Sequence, residues 1–556
     1  MSTSILRKIR IAVSLIFFIA FSFVFLDFRR LIPEEVINGI TWLQFIPSVL
    51  KFINVLSISA IGFLVVIVLT LLFGRVYCSS VCPLGILQDI INWFSKKFKK
   101  KKNRYFKTTK PHNKLRYGIL ILSIVSFVFG IVFFINLFDP YSNFGRIFTF
   151  FIKPVVILVN NLLAFFLGKF NVYTLFPVEI KLGPALVILI QFAILGLVVW
   201  MSTFHGRLFC NTICPVGTFL GFLSKFSLFR IRIDHSTCTS CSLCGMVCKA
   251  SCLSTKDQSL DVSRCISCFD CLTVCKSNSV RYSAVNSITE KTINEGDNKE
   301  NIKPDIGKRK FIVGSIAFAF GTVGISRAQE VPTATKDLPD QSQEVNIEDQ
   351  DLPAKIIPKN SRPTEVREAR DYPVCPPGST SIEKYNERCT ACNLCVSACP
   401  NDVLHPAFLE YGLIGLMQPR MDYWKGFCNF ECTRCLDVCP TGAILPLEVD
   451  TKKLTQLGIA KFIKDNCIVH TDKTDCGACS EHCPTKAVKM VPYEETALVI
   501  PEVEDKICIG CGACEFACPT TPYKAIFVNG NYEHKLADKP KEEKIIMPST
   551  EEDFPF

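Results

Sequence analysis

Cys238-Thr239-Ser240-Cys241-Ser242-Leu243-Cys244-Gly245-Met246-Val247-Cys248 sets four cysteines two, two and three residues apart. A second run follows at Cys265, Cys268, Cys271 and Cys275. Four more lie in the second half of the chain: Cys389, Cys392, Cys395 and Cys399; Cys428, Cys432, Cys435 and Cys439; Cys467, Cys476, Cys479 and Cys483; and Cys508, Cys511, Cys514 and Cys518. The six groups take 24 of the 30 cysteines in 556 residues, and the last four each end in Cys-Pro. Disulfide-stapled secreted folds are shorter and denser in Cys. Buried free thiols would not repeat a ligand cadence six times.

The spacing is that of bacterial 4Fe-4S runs, in which three close thiolates wrap one cube and the fourth reaches the other cluster of a pair. Zinc favours four-ligand sites that usually include His and lack this cadence. Two groups make one two-cluster module, so 24 ligands predict about six 4Fe-4S clusters. In the first module adjacency sets the pairing. Cys275 completes the site of Cys238, Cys241 and Cys244, and Cys248 that of Cys265, Cys268 and Cys271. In the second half the spacing leaves two pairings open, neighbour with neighbour or first with fourth and second with third.

Working outward, the chain is apolar, with 49% hydrophobic residues, 45 Phe and a mean hydropathy of +0.29. Four runs approach the roughly 20 residues that cross a bilayer core: 11–26, 54–73, 117–137 and 184–204. The net charge of +11 is unevenly spread, +22 over residues 1–326 and −11 over 327–556. The basic residues of the first half flank apolar runs, which points to membrane orientation rather than nucleic acid. Loop 74–116 carries Lys96, Lys97, Lys99 to Lys102 and Arg104 against a single acid, Asp89, and is expected on the cytoplasmic side with Arg7, Lys8 and Arg10. Arg207, Lys225, Arg230 and Arg232 put the segment after the fourth span there too. Residues 147–168 are apolar but interrupted by Lys153, Pro154, Asn160 and Asn161, and are expected to be interfacial or re-entrant.

Gly74-Arg75-Val76-Tyr77-Cys78-Ser79-Ser80-Val81-Cys82-Pro83-Leu84-Gly85 recurs 132 residues later as Gly206-Arg207-Leu208-Phe209-Cys210-Asn211-Thr212-Ile213-Cys214-Pro215-Val216-Gly217. The membrane part therefore reads as two helical hairpins, each ending in Cys-x3-Cys-Pro. Cys78, Cys82, Cys210 and Cys214 are metal or redox thiols in this reading. A seventh cluster, a thiophilic ion such as Cu(I), two dithiols or an inert helix-end motif all remain open. Cys252 and Cys375 read as small buried hydrophobes.

A fifth apolar run, 311–326, follows Lys308-Arg309-Lys310 and suits a signal-peptide core or short anchor. The expected organisation is a membrane domain (1–230), a cytoplasmic two-cluster module (231–284), a linker (285–310), the fifth span (311–326), an acidic linker (327–373), a four-cluster domain on the far side (374–533) and a charged tail (534–556). The fold class is membrane α-helical, with four spans plus the short fifth and α+β two-cluster modules of bacterial ferredoxin type. No Cys-x-x-Cys-His, no His within the four spans, no Gly-x-Gly-x-x-Gly fingerprint and no phosphate loop occur, so haem, NAD and flavin sites are not expected.

With these residues in hand, the first 280 or so resemble the membrane ferredoxin subunit of periplasmic nitrate reductase and methylamine-utilisation electron-donor modules (NapH type). Residues from about 374 resemble the exported four-cluster partner (NapG type), with Pro376-Pro377-Gly378 and the Cys428–Cys439 run as its markers. The resemblance implies a fusion of two subunits in a bacterial inner membrane, an electron carrier rather than a stand-alone enzyme. It would pass electrons from quinol to a periplasmic reductase or cytochrome, with no nucleic-acid partner. The chain departs from that pattern at Cys248-Lys249 and Cys275-Lys276, where Cys-Pro is usual, at Cys375, and at Lys308-Arg309-Lys310, where the export signal usually has two arginines. Asp139-Pro140-Tyr141 is a candidate quinol contact. The alternative function is a copper-reducing or metal-handling oxidase assembly factor, since such proteins share the repeated Cys-x3-Cys-Pro element.

Overall fold

Helix α1 (Thr3–Leu26) sets the frame of the molecule, because its two ends are held by different modules. In the computed structural model, which describes residues 3–27, 29, 31–55, 61–99, 106, 111–180, 183–254, 258–284, 366–493 and 497–539, Arg7 near its start pairs with Asp270 at 2.8 Å. Near its end the carbonyl of Phe25 accepts a hydrogen bond from Ser397 Oγ at 2.6 Å. The stretch of α-helix between these anchors, about 18 residues, rises about 27 Å. The two-cluster module of residues 231–284 and the C-terminal domain thus sit at opposite ends of one apolar helix. The described residues of 3–284 and 366–539 belong to one compact unit.

The membrane part continues through α2 (Glu34–Thr41) and α3 (Phe45–Val55), which meet at a bend of 109°. Next come α4 (Gly62–Phe73), α5 (Val76–Ser80), α6 (Pro83–Phe98), α7 (Asn113–Val128), α8 (Phe133–Phe138) and α9 (Pro140–Ile147). A π-helical turn, Phe148–Ile152, leads into α10 (Lys153–Lys169), and α11 (Ala185–His205), α12 (Leu208–Thr212) and α13 (Pro215–Leu223) complete it. Proline stands at the first or second position of α6, α9, α10 and α13, where a missing N–H costs no helical bond. Helices α4 and α11 end alike. Gly74 (φ 76°) closes α4 and Gly206 (φ 70°) closes α11, and a Cβ on Gly206 would run into the backbone of Lys249.

Three helices among the described residues are long and apolar enough to cross a membrane, or up to four if the bent α2–α3 pair counts as one. They are Ile5–Leu26, Pro140–Lys169 and Ala185–His205. The expected spans at 11–26 and 184–204 are therefore helices of spanning length. Of the expected span at 54–73, the described residues place 54–55 in α3 and 62–73 in α4, and that at 117–137 breaks after Val128. Residues 147–168, expected to be an interfacial or re-entrant helix, lie within the 30-residue helical run Pro140–Lys169, which is long and apolar enough to cross a membrane. The residues taken as interruptions are accommodated locally. Pro154 follows the π-turn, Asn161 bonds Val178 through both its groups, and Asn160 donates to Phe176 O and accepts from Arg29. Loop 74–116 likewise is not all loop, since α6 occupies 16 of its residues.

Each soluble module is framed by short antiparallel ladders. Phe229–Ile233 pairs with Val280–Ala284 around the first module. Leu404–Pro406 pairs with Pro419–Met421, and Thr455–Phe462 with Ile526–Leu536. Short helices between the strands give these segments an α+β character. The linker 285–310, the run 311–326 and residues 327–365 lie outside the described residues, whereas 366–373, expected as linker, are seated on the C-terminal domain, with Arg367 paired to Asp422 and Arg370 to Glu515.

The C-terminal domain seats closely on the membrane part. Lys153 Nζ donates to Ser397 O at 2.8 Å, Asn38 to Asp437 O at 3.2 Å and Asn54 to Thr441 O at 2.9 Å. Gly145 of α9 has no room for a side chain, because a Cβ would meet Cys392 O and the Phe25 ring. Gly145→Val is expected to weaken this seating by about 1–3 kcal/mol, the usual cost of overpacking. Hydrogen exchange checks it: protection should fall over residues 394–398 and hold over 455–462.

Candidate metal centres

The duplicated element builds a reciprocal clasp. Arg75 and Arg207 are both fully buried. Arg75 reaches across to Cys210 O (3.3 Å), and Arg207 reaches across to Cys78 O (2.9 Å). The last glycine of each copy makes room. A Cβ on Gly85 would collide with Arg207 and Cys78 O, and one on Gly217 with Arg75 and Cys210 O. Each arginine has further partners. Arg75 donates to Asn211 Oδ1 (2.8 Å), to Ser263 O (3.1 Å) and towards Cys78 Sγ (3.8 Å). Arg207 pairs with Asp89 (3.0 Å), which also holds Arg10 (2.9 Å) and Lys249 (3.3 Å). The lone acid of a basic loop is thus the anchor of four segments.

The clasp brings Cys78, Cys82, Cys210 and Cys214 together, all buried and within electrostatic reach of one another. Cys214 caps α13 by accepting from Gly217 N at 3.2 Å. Tyr77 lies beside Cys82, its hydroxyl bonded to Gln44 (3.1 Å) and to Phe45 N (3.3 Å).

The other quartets take three sulfurs from one run and one from its neighbour. Cys238, Cys241, Cys244 and Cys275 line one cavity, and Cys248, Cys265, Cys268 and Cys271 another, the pairing that adjacency predicts. In the C-terminal domain neighbours pair as well. Cys439 sits with Cys389, Cys392 and Cys395, and Cys399 with Cys428, Cys432 and Cys435. Cys518 lines a cavity with Cys467, Cys476 and Cys479, while Cys483 stands with Cys508, Cys511 and Cys514. Among the described residues no three His, Cys, Asp or Glu side chains converge on a single ion. Quartets spaced around cavities fit the shape of a multi-iron cube.

Six of the quartets connect through neighbouring residues. Cys244 lies within electrostatic reach of Cys271, and Arg75 within reach of both Cys265 and the clasp thiols. Tyr77 lies within reach of Cys82 and Asp139, and Tyr141 within reach of Asp139, Cys392 and Cys439. Asp139 itself caps α9, accepting from Ser142 N (2.7 Å) and Ser142 Oγ (2.8 Å). Cys395 neighbours Cys435, and Cys428 N donates to Cys511 O at 2.9 Å.

A family described as a 4Fe-4S binding domain matches residues 57–101 and 187–234, which contain Cys78, Cys82, Cys210 and Cys214 and none of the ferredoxin-spaced runs. A 4Fe-4S dicluster domain matches 474–521, and a further 4Fe-4S binding domain matches 382–405. The chain is 32% identical over 147 residues to the methylamine utilization ferredoxin-type protein MauM of Methylophilus methylotrophus, covering 24% of this chain and 61% of that protein. It is 28% identical over 195 residues to the ferredoxin-type protein NapH of Haemophilus influenzae, covering 34% and 54%. It is 25% identical over 224 residues to MauN of Methylobacillus flagellatus, covering 37% and 63%. The chain thus spans a little over half of the length of these curated relatives. No solved structure matches.

The chain carries 4Fe-4S binding domains.

Its sulfurs carry features that spacing alone does not show. A hydroxyl two residues past the fourth cysteine stands by the sulfur in four runs: Ser277 at Cys275 (3.6 Å), Thr441 at Cys439 (3.6 Å), Thr485 at Cys483 (3.7 Å) and Thr520 at Cys518 (3.1 Å). Cys248 lacks one, but Cys252 Sγ lies 3.5 Å from its sulfur, and Cys252 also bonds Cys265. Cys252, read as a spare hydrophobe, is part of that cysteine cluster, whereas Cys375 is buried against Tyr411 Oη at 3.3 Å. Burial pushes the thiols of Cys268, Cys389, Cys479 and Cys511 up to about 12, so they stay protonated until a metal displaces the proton.

Hydrogen bonds to cluster sulfurs raise reduction potential. Thr520→Val is therefore expected to shift one cluster of the C-terminal domain to more negative potential, read by EPR-monitored titration, with iron content unchanged. Arg207→Met leaves Asp89 buried with fewer cations and opens the clasp. It should cost about 3 kcal/mol, the low end for breaking a buried pair because Arg10 and Lys249 remain, read as a lowered unfolding temperature in detergent.

Proposed function

We propose that the chain is a membrane polyferredoxin that carries electrons from the quinol pool to a reductase or cytochrome on the far side of the membrane. The observation that carries this reading is the continuous order of cysteine quartets from one end of α1 to the other, with the clasp quartet inside the helical domain between the two soluble parts. The 24 ferredoxin-spaced cysteines would hold six 4Fe-4S clusters, and Cys78, Cys82, Cys210 and Cys214 a seventh. Bound clusters supply one-electron transfer. The protein's part is to hold the quartets in file, to exclude water from them and to surround the clasp thiols with Arg75 and Arg207, whose positive charge offsets that of the thiolates.

Orientation follows from charge. The end of α1 that carries Arg7 and Arg10, with Lys96, Lys97 and Lys99 of the basic loop, belongs on the cytoplasmic side. The first module lies at that end and the C-terminal domain at the other, so the C-terminal domain is periplasmic and the chain is a fusion of NapH-like and NapG-like parts. Copper handling is the weaker alternative, because six further cysteine quartets accompany the clasp thiols.

Anaerobically purified protein should contain about 28 Fe, four for each of seven quartets, and Cys214→Ser should remove about four of them while the ferredoxin-type EPR signals persist. Menadiol should reduce the clusters. Clusters that stay oxidised in menadiol while dithionite reduces them would overturn the quinol reading.

A further inference from the structure

A cleft at the seam between the membrane part and the C-terminal domain belongs to none of the quartets. It is lined by Thr149, Lys153, Ile157, Val396, Asp402 and His405, among others. We propose that this cleft binds the aromatic headgroup of an isoprenoid quinol, an inference that rests on the quinol reading above and assigns it a place.

The cleft has the composition such a ligand requires: apolar walls with a few polar groups at fixed positions. Ile157 and Val396 are both buried, as suits a flat ring. Thr149, which lines the cleft, is 8% exposed, and its buried Oγ1 has no hydrogen-bond partner among the described residues. Thr149 sits on the π-helical turn Phe148–Ile152, the one place where this helical run departs from α geometry among the described residues. His405 is held by its Nε2 contact with Asp402 O at 2.8 Å, and Lys153 by its bond to Ser397 O.

Access and position agree. Ile180 at the cleft is 40% exposed, and α10, which supplies Ile157, presents Val155, Leu158 and Val159 on its outer surface. A lipid-soluble molecule arriving along that surface meets the cleft without crossing water. Val396 follows Cys395 directly, so one wall of the cleft is the short helix that carries a predicted cluster ligand. Asp139-Pro140-Tyr141, the candidate from the sequence, is occupied in capping α9 and does not line the cleft.

The test uses the full-length protein in detergent and 2-heptyl-4-hydroxyquinoline N-oxide, a quinol-headgroup analogue whose fluorescence is quenched on binding. Saturable quenching, reversed by menadione and weakened at least tenfold in both Ile157→Trp and His405→Gln with iron content unchanged, supports the proposal. Quenching that both variants retain overturns it, as does no quenching by the parent protein. Displacement of the probe by phosphatidylglycerol vesicles but not by menadione also overturns it, by marking a lipid phosphate site. If the parent's clusters are reduced by menadiol while the variants bind the probe normally, the cleft fails and the quinol function stands. If menadiol reduces nothing yet the variants lose the probe, the cleft stands and the function fails.

Discussion

Two guanidinium groups buried in a helical membrane domain constrain everything around them. Each needs fixed acceptors on several sides, because a buried charge left without partners is costly. Here each finds one on the opposite copy of the duplicated element, Arg75 on Cys210 O and Arg207 on Cys78 O. Neither hairpin can complete its own arginine site, so the two copies must meet. Meeting them sets the four thiols face to face, fixes Gly85 and Gly217 as the residues that admit the crossing arginines, and leaves Asp89 to tie α1, α6 and the first soluble module together.

The soluble modules are held by a related device. Their ladders are two-stranded, too small to make a sheet core that is stable alone. These modules share one hydrophobic core with the helical domain, and cysteines cross between their runs. Cys439 closes the site of an earlier run while Cys399 closes that of a later one, and the same exchange relates Cys483 and Cys518. A metal centre with ligands from two segments ties both segments down. The buried thiols raised to about 12 mean that folding and cluster insertion are linked through proton release.

Much of this was legible in the residues. Six ligand cadences, the duplication and the hydrophobic runs at 11–26 and 184–204 each identify their element, because thiol spacing and helix length are local properties. The pairing of the first module was also readable, since just two runs lie between the membrane part and the linker. Other features were not. Lys153, Pro154, Asn160 and Asn161 look like breaks in a helix, yet Pro154 costs nothing after a π-turn and both asparagines bond to the chain that returns beside them. Cys252 looks like any small hydrophobe until its sulfur is found 3.5 Å from Cys248.

By itself the sequence determined the chemistry: cysteine runs that hold iron–sulfur clusters, apolar helices, and a repeated Gly-Arg and Cys-x3-Cys-Pro element. It determined these because each depends on residues within a few turns of one another. Tertiary structure alone decided which runs pair in the C-terminal domain, which carbonyls the two arginines reach, and that the clasp quartet stands in file between the two soluble parts. Those are distances between segments far apart in the chain, set by how buried charges and close glycine contacts lock the helices together, and no local spacing encodes them.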